Sequence, residues 1–305
     1  MRNGQIWQDI NGNDIQAHGG CIIKHEGVYY WYGEHKGADN SVLKDRFDRV
    51  DVIGVSCYSS SDLVNWKYEG LVLESDKENK DSLLHTSCVL ERPKVVYNKK
   101  NNNFVLWFHS DRSDYKYAGV GIAVSDSPVG PFEMVKFTRP DERDSRDMTV
   151  YIDDDGTGYL FSSSDGNSTM LISRLNEDYT DIDGFCVSAL ADQYREAPAI
   201  FKKDGTYYMI SSGCTGWDPN VALVAKCDNL MGKWLLTHDP CVGENSEFTF
   251  FGQSAFILEA EGKAYLMLDH WHKDDLKTSG YSLLPIEFKG DRLIVPWKDE
   301  FNGIE

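Results

Sequence analysis

Five polar residues head five stretches of the chain that share one grammar. His18, Glu91, Asp147, Glu196 and Gln253 each stand where a short apolar run begins; the run turns at a polar or glycine-containing tip and returns as a second apolar or aromatic run. In Arg195 to Ser212, Glu196 lies before Pro198, Ala199-Ile200-Phe201 is the apolar run, Asp204-Gly205 the turn, and Thr206 to Ile210 the return. Such pairs read as β-hairpins. Carboxylates and an amide gathered at one place can protonate a leaving oxygen, keep an ionised partner beside the acid, and position a water. Hydrolysis of a glycosidic bond needs these elements: an acid for the leaving oxygen and, in an inverting enzyme, a base for water on the far face of the sugar. Glu196 is the expected acid. Its pKa must then rise toward neutrality, and repulsion from Asp147 would raise it. Asp147 is expected to stay ionised beside Arg146 or Arg195.

The structural reading of any one of these residues is a strand-end group satisfying backbone N–H donors. His18 reads equally as a packed channel residue or a ligand to a structural ion. Repetition of the position is what favours a shared site. Glu91, Asp147, Glu196 and Gln253 follow one another at intervals of 56, 49 and 57 residues. A near-constant period with one repeated grammar indicates a repeat architecture. The expected fold is all-β, a single-domain five-bladed β-propeller over residues 1–305, because only five blocks show the grammar. In the first block the hairpin His18–Glu34 is followed by strand patterns at 52–59 and 66–73, giving four strands to a blade. Between them lies a polar insertion, Lys36 to Arg49, expected to be a surface loop near the site.

Composition removes several function classes. Lys plus Arg number 31 against 49 Asp plus Glu, a formal net charge of -18, which disfavours nucleic acid and anionic membranes as partners. A neutral oligosaccharide or polysaccharide suits this balance, and the 8 Trp and 16 Tyr supply rings for stacking on sugars. No motif specifies an oligomer. Seven widely spaced cysteines without a Cys-x-x-Cys pair read as free thiols in a reducing compartment. Residues 1–10 lack the apolar core of a signal peptide, so the expected location is cytoplasmic, or secreted if a leader has been removed. The eight histidines show no compact ligand spacing. No catalytic metal or other cofactor is therefore expected, although a structural calcium in the central channel is compatible with a propeller. A nucleophile elbow, a P-loop and a helix-opening dinucleotide fingerprint are all missing. Trp217, in the Gly213-Cys214-Thr215-Gly216-Trp217 loop after an inner strand, reads as a sugar-stacking platform ahead of ordinary core packing.

Across nearly the whole chain these elements resemble glycoside hydrolase family 43, and within it the branch containing exo-β-1,3-galactanases. The matching residues are Ala17-His18-Gly19-Gly20 with Tyr30-Trp31-Tyr32-Gly33-Glu34, then Glu91-Arg92-Pro93-Lys94-Val95, Ser145-Arg146-Asp147-Met148, Glu196-Ala197-Pro198, Thr215-Gly216-Trp217 and Gln253-Ser254. The resemblance implies an inverting exo-glycosidase that removes terminal β-1,3-linked galactose from galactan or arabinogalactan oligosaccharides. It makes Glu196 the general acid and Asp147 the residue that orients it and tunes its pKa. Glu34, Glu91, Tyr115, Thr215 and Trp217 would hold the terminal sugar, and His18 is counted with them. Most of the family place an aspartate base at the start of the first blade, where aligning on Gly27-Val28-Tyr29-Tyr30 puts Gly19. In the galactanase-like branch the residue opposite the acid is a glutamine, here Gln253, expected to act on water through its iminol form. An ordinary amide is a very poor base, so Glu91 is its rival for that water. Two alternatives stand beside this reading. One is an α-L-arabinofuranosidase, since related branches share the Ala-His-Gly-Gly and Tyr-Trp-Tyr-Gly-Glu signatures; the other is a carbohydrate-binding propeller that has lost catalysis along with the aspartate.

Overall fold

The apolar start of His18–His25 and the aromatic run of Val28–Glu34 are largely buried, and the Glu26-Gly27 turn between them sets the register, so that Ile22 faces Trp31 and His25 faces Val28. The same construction recurs along the chain. The computed structural model describes residues 1–38 and 49–304. The first blade is β1 (His18–His25), β2 (Val28–Glu34), β3 (Gly54–Ser60) and β4 (Lys67–Glu74). The second is β5 (Val89–Asn98), β6 (Asn103–Asp111), β7 (Gly119–Ser125) and β8 (Glu133–Thr138). The third is β9 (Met148–Ile152), β10 (Gly158–Ser164), β11 (Thr169–Leu175) and β12 (Ile182–Ala189). The fourth is β13 (Arg195–Lys203), β14 (Thr206–Gly213), β15 (Leu223–Cys227) and the short β16 (Leu235–Leu236). After β17 (Cys241–Val242) come β18 (Gln253–Ala260), β19 (Lys263–His270) and β20 (Gly280–Pro285), then β21 (Glu287–Lys289) and β22 (Arg292–Pro296). Within the first five blades every neighbouring pair is antiparallel.

The expected count of five blades is corrected to six among the described residues. β17, β22 and β21 form a further three-stranded sheet in which β17 runs parallel to β22. Its strands are two, five and three residues long and none is headed by a polar residue facing the site. Counting polar leaders therefore detects only the sheets whose inner strands line the channel. Those inner strands, β1, β5, β9, β13 and β18, contact one another in a closed ring, and the sixth sheet packs outside it. Leu293, Val295 and Cys241 of that sheet share one apolar cluster with Phe201 and Ile210 of the fourth blade and Leu266 and Leu284 of the fifth.

The core is divided among the blade interfaces. Phe104, Leu106 and Phe108 pack with Cys21, Tyr32 and Val55 between the first two blades, and Trp7, Trp31, Trp66 and Tyr281 join the first to the fifth. The chain's start also closes the ring, because the Gly4 amide donates to the Tyr281 carbonyl and the Tyr281 amide to that of Gln5, extending the fifth blade by one strand. Among residues expected at the surface, 39–48 of the Lys36–Arg49 insertion lie outside the described residues, while both its ends are placed beside the cavity described below.

The leaders share a backbone device. In four inner strands the register slips just after the leading position, between His18 and Cys21, Glu91 and Lys94, Glu196 and Ala199, and Ser254 and Phe256. In three of them the next residue has a left-handed φ: Gly19 at 60°, Arg92 at 54° and Ala197 at 52°. A β-bulge re-aims the side chain beside it, which turns a strand residue toward the channel mouth. The first bulge is packed against backbone: a Cβ on Gly20 would lie 1.7 Å from the Tyr32 carbonyl oxygen. Backbone cannot yield as a side-chain tip can. Gly20→Ala is therefore expected to cost about 3 kcal/mol, the upper end for overpacking, read as a lower urea midpoint at unchanged slope.

Candidate active site

Glu91, Asp147, Glu196 and Gln253, four of the five leaders, line one cavity of about 320 Å³ together with Glu34, Tyr115 and Trp217. Hairpin pairing adds a second layer. Of the residues across from the leaders, Glu34, opposite His18, and His109, opposite Glu91, also line the cavity, while Ser212, opposite Glu196, and Asp269, opposite Gln253, stand behind its wall.

Arg92 ties the parts together. Its backbone amide donates to Glu34 Oε1 at 2.9 Å, and its guanidinium pairs with Asp147 at 2.8 Å and donates to Gln253 Oε1 at 2.6 Å and the Ser254 carbonyl at 3.2 Å. Burial opposes its charge, yet Asp147 and Asp269 hold its pKa above the ordinary arginine value. This corrects the expected partner of Asp147. Arg146 instead pairs with Asp144, and Arg195 is buried, donating to Ser211 Oγ and to the Ser211 and Val221 carbonyls. Arg195, beside Glu196 in β13, points to the opposite face of that strand, whereas Arg146 lines the same cavity as Asp147 but gives its guanidinium to Asp144.

Gln253 uses its whole hydrogen-bonding capacity. Its Oε1 accepts from Arg92 and from Trp271 Nε1 at 2.9 Å, while Nε2 donates to Glu196 Oε1 at 3.0 Å and Ser212 Oγ at 2.9 Å. Arginine and tryptophan only donate, which fixes the amide's orientation and gives an iminol O–H no acceptor on that side. Glu196 is pushed up to about 8, first by burial and then by the Asp147 charge, with Arg92 and a Cys214 hydrogen bond pulling the other way. It is thus protonated at neutral pH and able to donate.

Glu91 is held the opposite way. Tyr115 donates its hydroxyl to Oε1 at 2.8 Å, and His109 Nδ1 lies 3.1 Å from Oε2. The other ring nitrogen of His109 faces Asp111 at 3.5 Å. Burial would discharge this imidazole, but the bonds to Asp111 and Glu91 raise it to about 9, so an imidazolium sits between two carboxylates. Although burial works to raise it, Glu91 is brought well below the usual carboxylate range by His109, Lys36 and Arg49. Glu34, buried and raised by that burial, forms a 2.6 Å pair with Lys36. It also accounts for Gly19: with φ at 60°, a Cβ there would fall 2.3 Å from Glu34 Oε1. The carboxylate of Glu34 fills the room an aspartate at position 19 would need.

Two expected sugar contacts lie elsewhere. His18 is fully buried behind the wall, 3.0 Å from the Tyr281 hydroxyl and 3.5 Å from Asp269. Thr215 sits on the exposed loop, its hydroxyl bonded to the Asp218 carbonyl and to Asn220, while Trp217 of the same loop does line the cavity. Trp217 meets Trp271 edge to face at 4.9 Å. Sequence reading missed roles for Arg92, His109, Trp271, Lys36 and Arg49. Hairpin register would have found His109, since it faces Glu91 across the strand pair. Arg49 Nη2 donates to the Cys88 carbonyl at 2.6 Å and its guanidinium lies 5.1 Å from the Tyr115 ring centre. Among the described residues no group of three or more His, Cys, Asp or Glu side chains is placed to hold a metal ion.

The model for glycosyl hydrolases family 43 matches residues 21–291. The chain belongs to this family. Among solved structures it is similar to a family 43 β-1,3-galactosidase bound to galactodeoxynojirimycin, at 36% identity and a TM-score of 0.92, covering 99% of this chain and 100% of that one. It is also similar to the exo-β-1,3-galactanase of Phanerochaete chrysosporium with galactose, at 35% identity and a TM-score of 0.87, over 97% of this chain and 66% of that one. A curated relative, an arabinoxylan arabinofuranohydrolase of Paenibacillus polymyxa, is 30% identical over 195 residues, 56% of this chain and 30% of the relative. The match to a second, from Bacillus subtilis, spans 39% of its length, so the aligned region is about a third of these curated relatives.

Two outcomes follow from the charges. With Glu196 as proton donor the enzyme is competent only while that group is protonated, so under this assignment kcat/KM is expected to fall as pH rises through about 8, and a pH–rate profile checks both. Asp111→Asn removes one carboxylate flanking His109, and the imidazole titration, followed by ¹⁵N NMR, is expected to move down from about 9 toward the ordinary value.

Proposed function

We propose that this family 43 hydrolase is an inverting exo-enzyme that releases terminal galactose from β-1,3-linked galactan or arabinogalactan oligosaccharides. The observation that carries the catalytic part is the Glu196–Gln253–Arg92–Asp147 chain of contacts, which sets one protonated carboxylic acid beside a carboxylate paired with a guanidinium. The galactose part is supported by likeness over almost the full chain to proteins described as β-1,3-galactosidases and exo-β-1,3-galactanases. A protonated acid in a polar cavity argues against the catalytically inactive binding propeller.

In this reading Glu196 gives its proton to the leaving oxygen. Asp147 raises the pKa of the acid and, through Arg92, orients Gln253 against it. Glu34, Tyr115 and Trp217 frame the terminal sugar. Gln253 is engaged in its amide form, and even a depressed carboxylate is more basic than an amide oxygen, so Glu91 takes the attacking water. The chemistry needs no cofactor.

Glu196→Gln is expected to lower kcat by at least about a thousandfold with an unchanged unfolding midpoint. Galactose, not arabinose, is the product expected from arabinogalactan or the matching aryl glycosides, and ¹H NMR of the first anomer formed tests inversion. Equal turnover of the wild type and Glu196→Gln would remove Glu196 as the acid. Azide identifies the water-handling residue: rescue of Glu91→Ala with formation of an inverted glycosyl azide is expected, and rescue of Gln253→Ala alone would transfer that role to Gln253.

A further inference from the structure

Just past the bulge that follows Glu91, a lysine is sealed inside the protein. Lys94 is 1% exposed, and its Nζ donates to the Gly19 carbonyl at 2.5 Å and to the Arg92 carbonyl at 3.3 Å. A buried ammonium loses its hydration and is ordinarily met by a carboxylate. The groups that accept from this one are backbone oxygens, one from the first blade and one from the second.

Both oxygens belong to bulges. Gly19 and Arg92 fall in the gaps of strand pairing that follow His18 and Glu91, and both have left-handed φ values. A bulged residue is left out of the ladder, so its carbonyl needs another donor. Arg92 carries a Cβ, which makes its left-handed backbone strained, and such strain persists only where the surroundings fix it. The two bulges lie close together, since a Cβ on Gly19 would fall 3.4 Å from the Arg92 amide nitrogen. The next residue repeats the tie between the blades: the Val95 amide donates to Cys21 Sγ at 3.1 Å.

Packing alone does not call for an amine at this position. Val95 and Val96, which follow it, are buried and apolar, and an aliphatic chain or a thioether would fill the same space without desolvating a charge. What such a chain lacks is hydrogens to donate, and a lysine amine has two to give in either charge state. We propose that Lys94 is a positioning residue of the active site: by holding the Gly19 and Arg92 carbonyls together it locks the two bulges, and so aims the Arg92 guanidinium at Asp147 and Gln253 and the Arg92 amide at Glu34. Lys94 is not among the residues lining the cavity, and it acts through Arg92. Its kinetic consequence rests on the glycosidase reading, whereas its structural consequence can be followed without substrate.

The test compares Lys94→Met, which removes the donors, with Lys94→Gln, which returns two hydrogens on one nitrogen. With β-1,3-galactobiose as substrate, Lys94→Met is expected to lower kcat about a hundredfold, the loss typical of misplacing reacting groups by about an ångström. Lys94→Gln should recover about tenfold of that, the worth of one hydrogen bond. In ¹H–¹⁵N spectra of Lys94→Met, the Trp271 indole and Gln253 side-chain amide signals should shift at full intensity, because both groups bond within the Arg92 network. The indole of Trp234, which donates to the Leu230 carbonyl in the fourth blade, should stay in place. A lysine needed only for folding would weaken all signals together and lower kcat in proportion. Unmoved Gln253 and Trp271 signals, or equal kcat in folded Lys94→Met and Lys94→Gln, would overturn the clamp. If Lys94→Met does not fold, Lys94→Gln decides by itself: its shorter reach should shift the same two signals, and unmoved signals would overturn the proposal. Failure of the proposed function registers separately, as no galactose release from galactobiose by the unmodified protein.

Discussion

A guanidinium buried among carboxylates and an amide holds this site together. Arg92 is almost sealed from solvent, so its charge must be met on the spot, and Asp147, Gln253 and the Ser254 carbonyl meet it. Each consequence for catalysis follows from that arrangement. Asp147 pairs with the guanidinium, its charge acts on Glu196, and Gln253, with its oxygen claimed by donors, has its amide hydrogens turned to Glu196 and Ser212. Because Arg92 sits in a left-handed bulge at the head of β5, its backbone amide also reaches Glu34, linking the first blade to the fifth through one residue.

Opposite protonation states are kept a short distance apart by different physics. Glu196 is protonated by burial and like charge, whereas Glu91 is ionised because His109 carries a proton between it and Asp111. All four belong to hairpin ends at one mouth, so the propeller needs no long loop to assemble them.

The departures from sequence expectation have common causes. A period counts leaders, and the sixth blade has none; its pieces come from both sides of the fifth blade and meet only in space. Asp147 was expected to pair with an arginine beside it or beside Glu196, yet Arg146 is taken up by Asp144, Arg195 is buried on Ser211 and Val221, and Arg92 arrives from another blade. His18 has the position of a leader but its ring stacks at 4.7 Å on Tyr281 inside the wall. The family resemblance put Thr215 on the terminal sugar, and the loop spends its hydroxyl on its own turn.

From the amino-acid order alone came the all-β hairpins, the repeat and the candidates Glu91, Asp147, Glu196 and Gln253, because period-two patterning and recurrent strand heads are local and survive in one dimension, while Glu34 and Tyr115 came with the family resemblance and Trp217 from its loop. Tertiary structure alone decided the number of blades, the charge partners, the imidazolium at His109 and the reason position 19 is glycine. These depend on which backbones approach across blades and on how much water remains around each charge, and neither distance nor solvation is written in residue order.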